Sequence, residues 1–133
     1  MQDVLTKSKN TKKSQELYKK ACELIPGGVN SPVRSFKAVE TEPLFISKAK
    51  GPYIWDVDHN QYIDYVCSWG ALIHGHAHNE IIEELQKTLT KGTSYGAPHE
   101  NEIELAQIIT SCMPSIEKIR LVNSGTEAVM TAI

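Results

Sequence analysis

Long apolar runs, paired cysteines, a dominant charge and nucleotide-binding glycine patterns are all missing from this sequence of 133 residues. No stretch approaches the roughly 20 apolar residues of a membrane span, and the N-terminus lacks the apolar core and small-residue cleavage site of a secretory signal. The sequence therefore predicts a soluble, intracellular protein, placed in the cytoplasm. Cysteine is scarce: Cys22, Cys67 and Cys112 are odd in number, spaced 45 residues apart and without a CxxC pair, which predicts reduced, structural thiols. Fourteen Lys plus Arg oppose sixteen Asp plus Glu, so no basic field exists to condense on nucleic acid. Neither GxGxxG nor GxxxxGK[ST] occurs, which disfavours mononucleotides and dinucleotides. No repeat of 20 to 50 residues points to a solenoid. What remains, 41% hydrophobic and 23% charged residues with 8 Gly and 6 Pro, is the composition of a globular domain or a piece of one.

Residues 1–20 carry six lysines against Asp3 and Glu16, which reads either as a solvated tail or as an arm for an acidic partner. From Ser14, Leu17, Tyr18, Ala21, Leu24 and Ile25 recur at helical spacing until Pro26-Gly27-Gly28 stops the run. The glycines, Asn30 and Pro32 then predict an irregular loop with polar tips. Three β-rich runs follow, Leu44 to Ile46, Tyr53 to Val57 and Tyr62 to Val66, separated by turn signals, and together they predict a small antiparallel meander. Farther on, Ile81, Ile82, Leu85 and Leu89 mark one face of a helix closed by Gly92. A second helix carries Ile103, Leu105, Ala106, Ile108 and Ile109 and stops before Pro114. Lys118 to Asn123 reads as a strand running into a helix that begins near Ser124. A lone strand between helices cannot complete a parallel sheet, so the sequence reads as truncated.

Asn123-Ser124-Gly125-Thr126-Glu127 lies at that strand-to-helix junction. Free amides at a helix start, the helix dipole, a glycine and two hydroxyls make a cradle for one phosphate on a small cofactor. The same Ser124-x-x-Glu127 spacing is a capping box that satisfies the amides without any ligand. Arg34, one of only two arginines, lies in the glycine-bearing loop beside Ser31, where its guanidinium could fork onto a substrate carboxylate or pair with a nearby surface acid. Trp69, between Ser68 and Gly70, could wall a pocket or fill a core. His74, His76 and His78 alternate as metal ligands on a strand would. The intervening Gly75 and the missing carboxylate or cysteine favour turn and packing roles, and no metal is assigned.

Taken in order and spacing, five elements stop looking generic: Pro26 to Arg34, Ser68-Trp69-Gly70, Gly75-His76-Ala77-His78, Gly92 to Pro98 and Asn123 to Ala128. Across residues 14–133 they closely resemble the glutamate-1-semialdehyde 2,1-aminomutase family. Ser124 to Ala128 is shared widely among class III pyridoxal-phosphate aminotransferases, whereas the elements around Ser31 and Trp69 point to the aminomutases. His74 and Asn79 depart from the family pattern, outside the presumed ligand contacts.

The resemblance implies the N-terminal part of a fold-type I α/β enzyme with pyridoxal 5'-phosphate as cofactor, in its pyridoxamine form during the cycle. The parts are a flexible basic tail over 1–13, a helix and antiparallel meander over 14–66, and over 67–133 the incomplete start of the large mixed-sheet domain that binds the cofactor. It also implies that Gly125 and Thr126 hold the phosphate beside Ser124, that Ser31 and Arg34 bind the substrate carboxylate, and that Trp69 lines the pocket. The implied reaction is an intramolecular amino transfer from (S)-4-amino-5-oxopentanoate to 5-aminolevulinate in tetrapyrrole synthesis, by a homodimer, with no nucleic acid or membrane partner. The Schiff-base lysine is expected downstream, so no catalytic residue is assigned within 1–133 and the chain alone is expected to be inactive. The alternatives are another class III omega-aminotransferase and a non-catalytic association module.

Overall fold

A computed structural model describes residues 9–133. The first helix, α1 (Lys12–Leu24), starts two residues before Ser14, because its opening amides find partners beyond its own sequence. The Lys12 amide donates to Asn10 Oδ1, and those of Lys13 and Ser14 donate to the two carboxylate oxygens of Asp58 at 2.9 and 3.0 Å. A carboxylate 44 residues downstream thus caps the positive end of the helix. Ser14 is buried, its hydroxyl accepting from the Phe45 amide at 3.2 Å. Past Ile25 the chain turns through short 3₁₀ turns, Pro26–Gly28, Pro32–Ser35 and Lys37–Val39. Of the expected basic tail, residues 1–8 lie outside the described residues. Lys9 donates to the Gln61 carbonyl at 2.8 Å, its ammonium 3.5 Å from the centre of the Tyr62 ring.

The expected meander forms: β1 (Ile46–Lys50), β2 (Tyr53–Asp56) and β3 (Gln61–Ile63) pair antiparallel in sequence order, β2 and β3 shorter than their β-rich runs and β1 lying later than Leu44 to Ile46, with only Ile46 in common. A bulge between Ile46 and Lys48 is closed by the Ser47 hydroxyl, which donates to the Trp55 and Asp56 carbonyls. Asp56, fully buried, organises the β2–β3 turn. Its carboxylate accepts from the Asp58 and Asn60 amides, the Asn60 side chain and the Tyr62 hydroxyl, all within 3.0 Å. Burial acts to raise its pKa, and these donors outweigh it and hold the carboxyl below its ordinary value. Burial and the hydrogen bond to Asp56 push the Tyr62 phenol up to about 12.

The first compact unit runs to Lys87, and Thr88–Ile133 forms the second. Residues 67–78 are tied back to the meander by an antiparallel bridge between Gly51 and His76, with N–H···O distances of 2.8 and 3.0 Å. The helices α2 (Asn79–Leu89) and α3 (Glu100–Cys112) occur where the apolar spacing places them. Gly92, at φ +104°, follows α2, and Pro114 follows α3. The ring of His99 caps α3, Nδ1 accepting from the Asn101 amide while the ring stacks on Tyr95 at 5.2 Å. The expected strand over Lys118 to Asn123 is not formed, because among the described residues no strand lies beside it to complete its hydrogen bonds. The last helix, α4, spans Gly125–Ala132.

No large apolar side chain is buried among the described residues. Ser14, Ser35 and Asp56 are the buried polar ones, and Leu85 and Leu89 on the apolar stripe of α2 stay more than half exposed. No described helix is long and apolar enough to cross a membrane.

Candidate active site

The residues singled out as ligand contacts fall into two groups, one in each unit. In the second unit, Ser124 is the N-cap of α4 in extended conformation, and its hydroxyl oxygen accepts from the Glu127 amide at 3.2 Å. Glu127 reaches back and accepts from the Asn123 amide at 2.7 Å. The box is therefore offset by one residue from the reciprocal form, in which the acid would serve the N-cap amide itself. The caps consume the amides of Asn123 and Glu127 and leave those of Gly125 and Thr126 with no hydrogen bond among the described residues. A Cβ placed on Gly125 would meet no atom within 4 Å among the described residues, so the side of the helix start where that Cβ would point is open. Two free amides and the Thr126 hydroxyl fit a phosphate group. The Glu127 carboxylate, of the same charge as a phosphate, is held toward Asn123. The capping box therefore does not exclude a cradle, because it occupies only part of the donor set.

In the first unit, Ser31 is the extended N-cap of the turn Pro32–Ser35, and the Arg34 amide donates to the Ser31 carbonyl at 2.9 Å. That bond places both residues on one turn of backbone. The Ser31 hydroxyl makes no capping hydrogen bond, and the exposed Arg34 forms no ion pair among the described residues. The turn's base is fixed by the Ser35 hydroxyl donating to the Pro32 carbonyl and, earlier in the loop, by Gly28 packed against Tyr18 and Cys22 of α1. A rigid base with an uncommitted guanidinium is the arrangement that receives a carboxylate in a two-pronged bond.

Trp69 stands on a different turn and is 70% exposed. Cys67, Ser68, Trp69 and Gly70 all have positive φ, from 48° to 90°, in a left-handed turn closed by the Trp69 amide on the Val66 carbonyl and the Gly70 amide on the Cys67 carbonyl. Left-handed backbone costs a non-glycine residue roughly 1–2 kcal/mol, and three such residues in succession mark stored strain. Sequence reasoning gave this segment no unusual geometry, since only Gly70 signals a left-handed residue.

His76, weighed first as a metal ligand, binds the Asp64 carboxylate at 2.6 Å, while the His74 and His78 rings meet at a tilt, 5.3 Å apart. The bond from His76, with further help from the Val66 and Cys67 amides, lowers the Asp64 pKa below its ordinary value. His78 Nδ1 is buried without a hydrogen-bond partner among the described residues. Among the described residues no three ligating side chains converge on a metal-sized space. Sequence reasoning did not find Asp64, twelve residues before its partner and within a β-rich run.

A profile of the aminotransferase class-III family matches residues 36–133, nearly three-quarters of the chain. The chain belongs to the class-III aminotransferase family. Among curated relatives of this class-III chain, the glutamate-1-semialdehyde 2,1-aminomutase of Thermodesulfovibrio yellowstonii is 63% identical over 92% of the chain. The chain spans only 29% of the length of that relative. Among solved structures, an omega-transaminase from Sphaerobacter thermophilus matches at a TM-score of 0.81 and 37% identity, covering 90% of this chain and 27% of its own. A transaminase solved with PLP bound matches at a TM-score of 0.83 and 37% identity, covering 92% of this chain and 28% of its own. These likenesses place the class-III chain at the N-terminal side of an α/β fold, in agreement with the fold class read from the sequence.

Proposed function

We propose that the intact protein is a glutamate-1-semialdehyde 2,1-aminomutase, converting (S)-4-amino-5-oxopentanoate to 5-aminolevulinate for tetrapyrrole synthesis, as a cytoplasmic homodimer. The observation that carries the reading is 63% identity to such an aminomutase across 92% of the chain. In the proposal pyridoxal 5'-phosphate is the cofactor, and when bound it supplies the electron sink for moving an amino group. The amides of Gly125 and Thr126 hold its phosphate, and Ser124 fixes the first turn of α4 so that both amides point outward. Arg34 and Ser31 orient the substrate by its carboxylate, and Trp69 offers a flat apolar wall that excludes water from one side. No residue of this chain is assigned to the covalent chemistry.

Two measurements on the intact protein test the assignment. Gly125→Val adds a side chain whose Cβ meets no described atom within 4 Å, and it should weaken cofactor binding at least about tenfold in an absorbance titration, through loss of phosphate contacts, with the urea midpoint unchanged. Equal affinity would remove the cradle. Turnover of the amino-aldehyde without any added oxo-acid acceptor is expected of an aminomutase. Strict dependence on an acceptor would favour the second reading, an omega-aminotransferase, which the Sphaerobacter thermophilus likeness supports.

A further inference from the structure

The left-handed turn that carries Trp69 is clamped at both ends onto one hairpin. Asp64 follows β3, and its amide donates to the Pro52 carbonyl at 2.8 Å. Its Oδ1 accepts from the amides of Val66 and Cys67 at 2.9 and 3.2 Å, the residues that lead into the turn. Its Oδ2 meets His76 Nε2 at 2.6 Å, and His76 in turn exchanges two backbone hydrogen bonds with Gly51. Gly75 allows that approach, since a Cβ there would lie 3.0 Å from the Gly51 carbonyl oxygen. Entry and exit of the segment 65–75 are thus anchored on adjacent hairpin residues, Pro52 and Gly51, and one carboxylate joins them.

We propose that Asp64 and His76 are positioning residues for substrate binding: the Asp64 carboxylate, gripped by the Val66 and Cys67 amides and by His76, holds Cys67–Gly70 left-handed and so fixes the direction of Trp69. The proposal rests on the reading of Trp69 as a wall of the substrate pocket. The physical need is plain, because three residues other than glycine do not stay at positive φ unless their surroundings over-determine them. Two amides and an imidazole on one carboxylate supply that constraint.

The test uses the intact enzyme labelled with 5-fluorotryptophan, the Trp69 resonance being assigned by its loss in Trp69→Phe. In Asp64→Ala the Trp69 resonance should shift and broaden while that of Trp55, on β2, keeps its position. KM for the amino-aldehyde should rise about tenfold, as expected for losing hydrogen bonds to a charged group, with kcat changed by less than about twofold. Asp64→Asn keeps an acceptor for the two amides and should fall between Asp64→Ala and wild type. Adding Ser68→Gly to Asp64→Ala should recover most of the KM and sharpen the Trp69 resonance, because glycine takes positive φ without strain. A general loss of stability would move both resonances and would not respond to that glycine. If Asp64→Ala does not fold, His76→Phe is read by the same two signals. An unchanged Trp69 resonance with unchanged KM, or failure of the glycine rescue, overturns the proposal. If Trp69→Phe leaves KM unaltered while Asp64→Ala still displaces the Trp69 resonance, the pocket reading fails and the clamp stands.

Discussion

Gly28 shows how tightly single residues set the geometry of the loop that carries Ser31 and Arg34. At φ +71° it sits where an added Cβ would lie 2.6 Å from Tyr18 Cε2 and 2.8 Å from Cys22 Sγ. Gly28→Ala is therefore penalised twice, by left-handed backbone and by overlap with α1. We expect it to destabilise the intact protein by about 2–3 kcal/mol, measured as a lower urea midpoint. Arg34 presents a different case, since the role proposed for it rests on the shape of its head group. Arg34→Lys retains the charge and loses the fork, so KM should rise well beyond the effect of a surface substitution while the urea midpoint stays put. Unchanged kinetics would remove Arg34 from the site. The glycine of Pro26-Gly27-Gly28 was legible as a turn signal, whereas its packing against Tyr18 was not, because nothing in local composition encodes which ring lies opposite.

Among the elements, α1 depends on a turn that follows 44 residues later. Asp58→Ala would leave the Lys13 and Ser14 amides unpaired, and Ser14 is buried. A loss of about 1–2 kcal/mol follows from the lost cap, read as a lower thermal midpoint, and Asp58→Asn should restore part of it. The meander, α2 and α3 could be read from periodicity and turn residues, since local preference and apolar spacing agree there. The Asp58 cap, the four donors on Asp56 and the His99 cap could not, because each depends on a backbone turn that brings together groups which pattern alone leaves unrelated. The segment Lys118 to Asn123 shows the converse. Its composition favours a strand, yet a strand exists only through a neighbour, and none is present among the described residues. In the candidate site, the helix start at Ser124 with its free amides was legible, because helix ends expose amides wherever they occur. The clamp on Trp69 was hidden, since Cys67 and Ser68 carry no sequence signal for positive φ.

At the scale of the whole molecule, polar contacts tie residues distant in the chain, and they titrate. Asp56 and Asp64 have folded pKa values below their ordinary 3.8, so the stability they contribute is complete above that value and is lost as pH falls further below it. Tyr62, raised from 10.0 to about 12, contributes stability that is complete below pH 10 and lost as pH climbs through its folded value. Tyr62→Phe should accordingly flatten the alkaline limb of a plot of urea midpoint against pH and, by removing one of the four donors that hold Asp56 down, make the acid limb shallower as well. An alkaline limb identical to wild type would refute the assignment. The reciprocal bonds between Gly51 and His76 have a kinetic corollary. In deuterated solvent these two amides, 25 positions apart, cannot be released one at a time by fraying of a strand end, because each is the other's shutter. Their isotopic labelling would proceed in step, making the pair an internal clock for the opening of this part of the molecule.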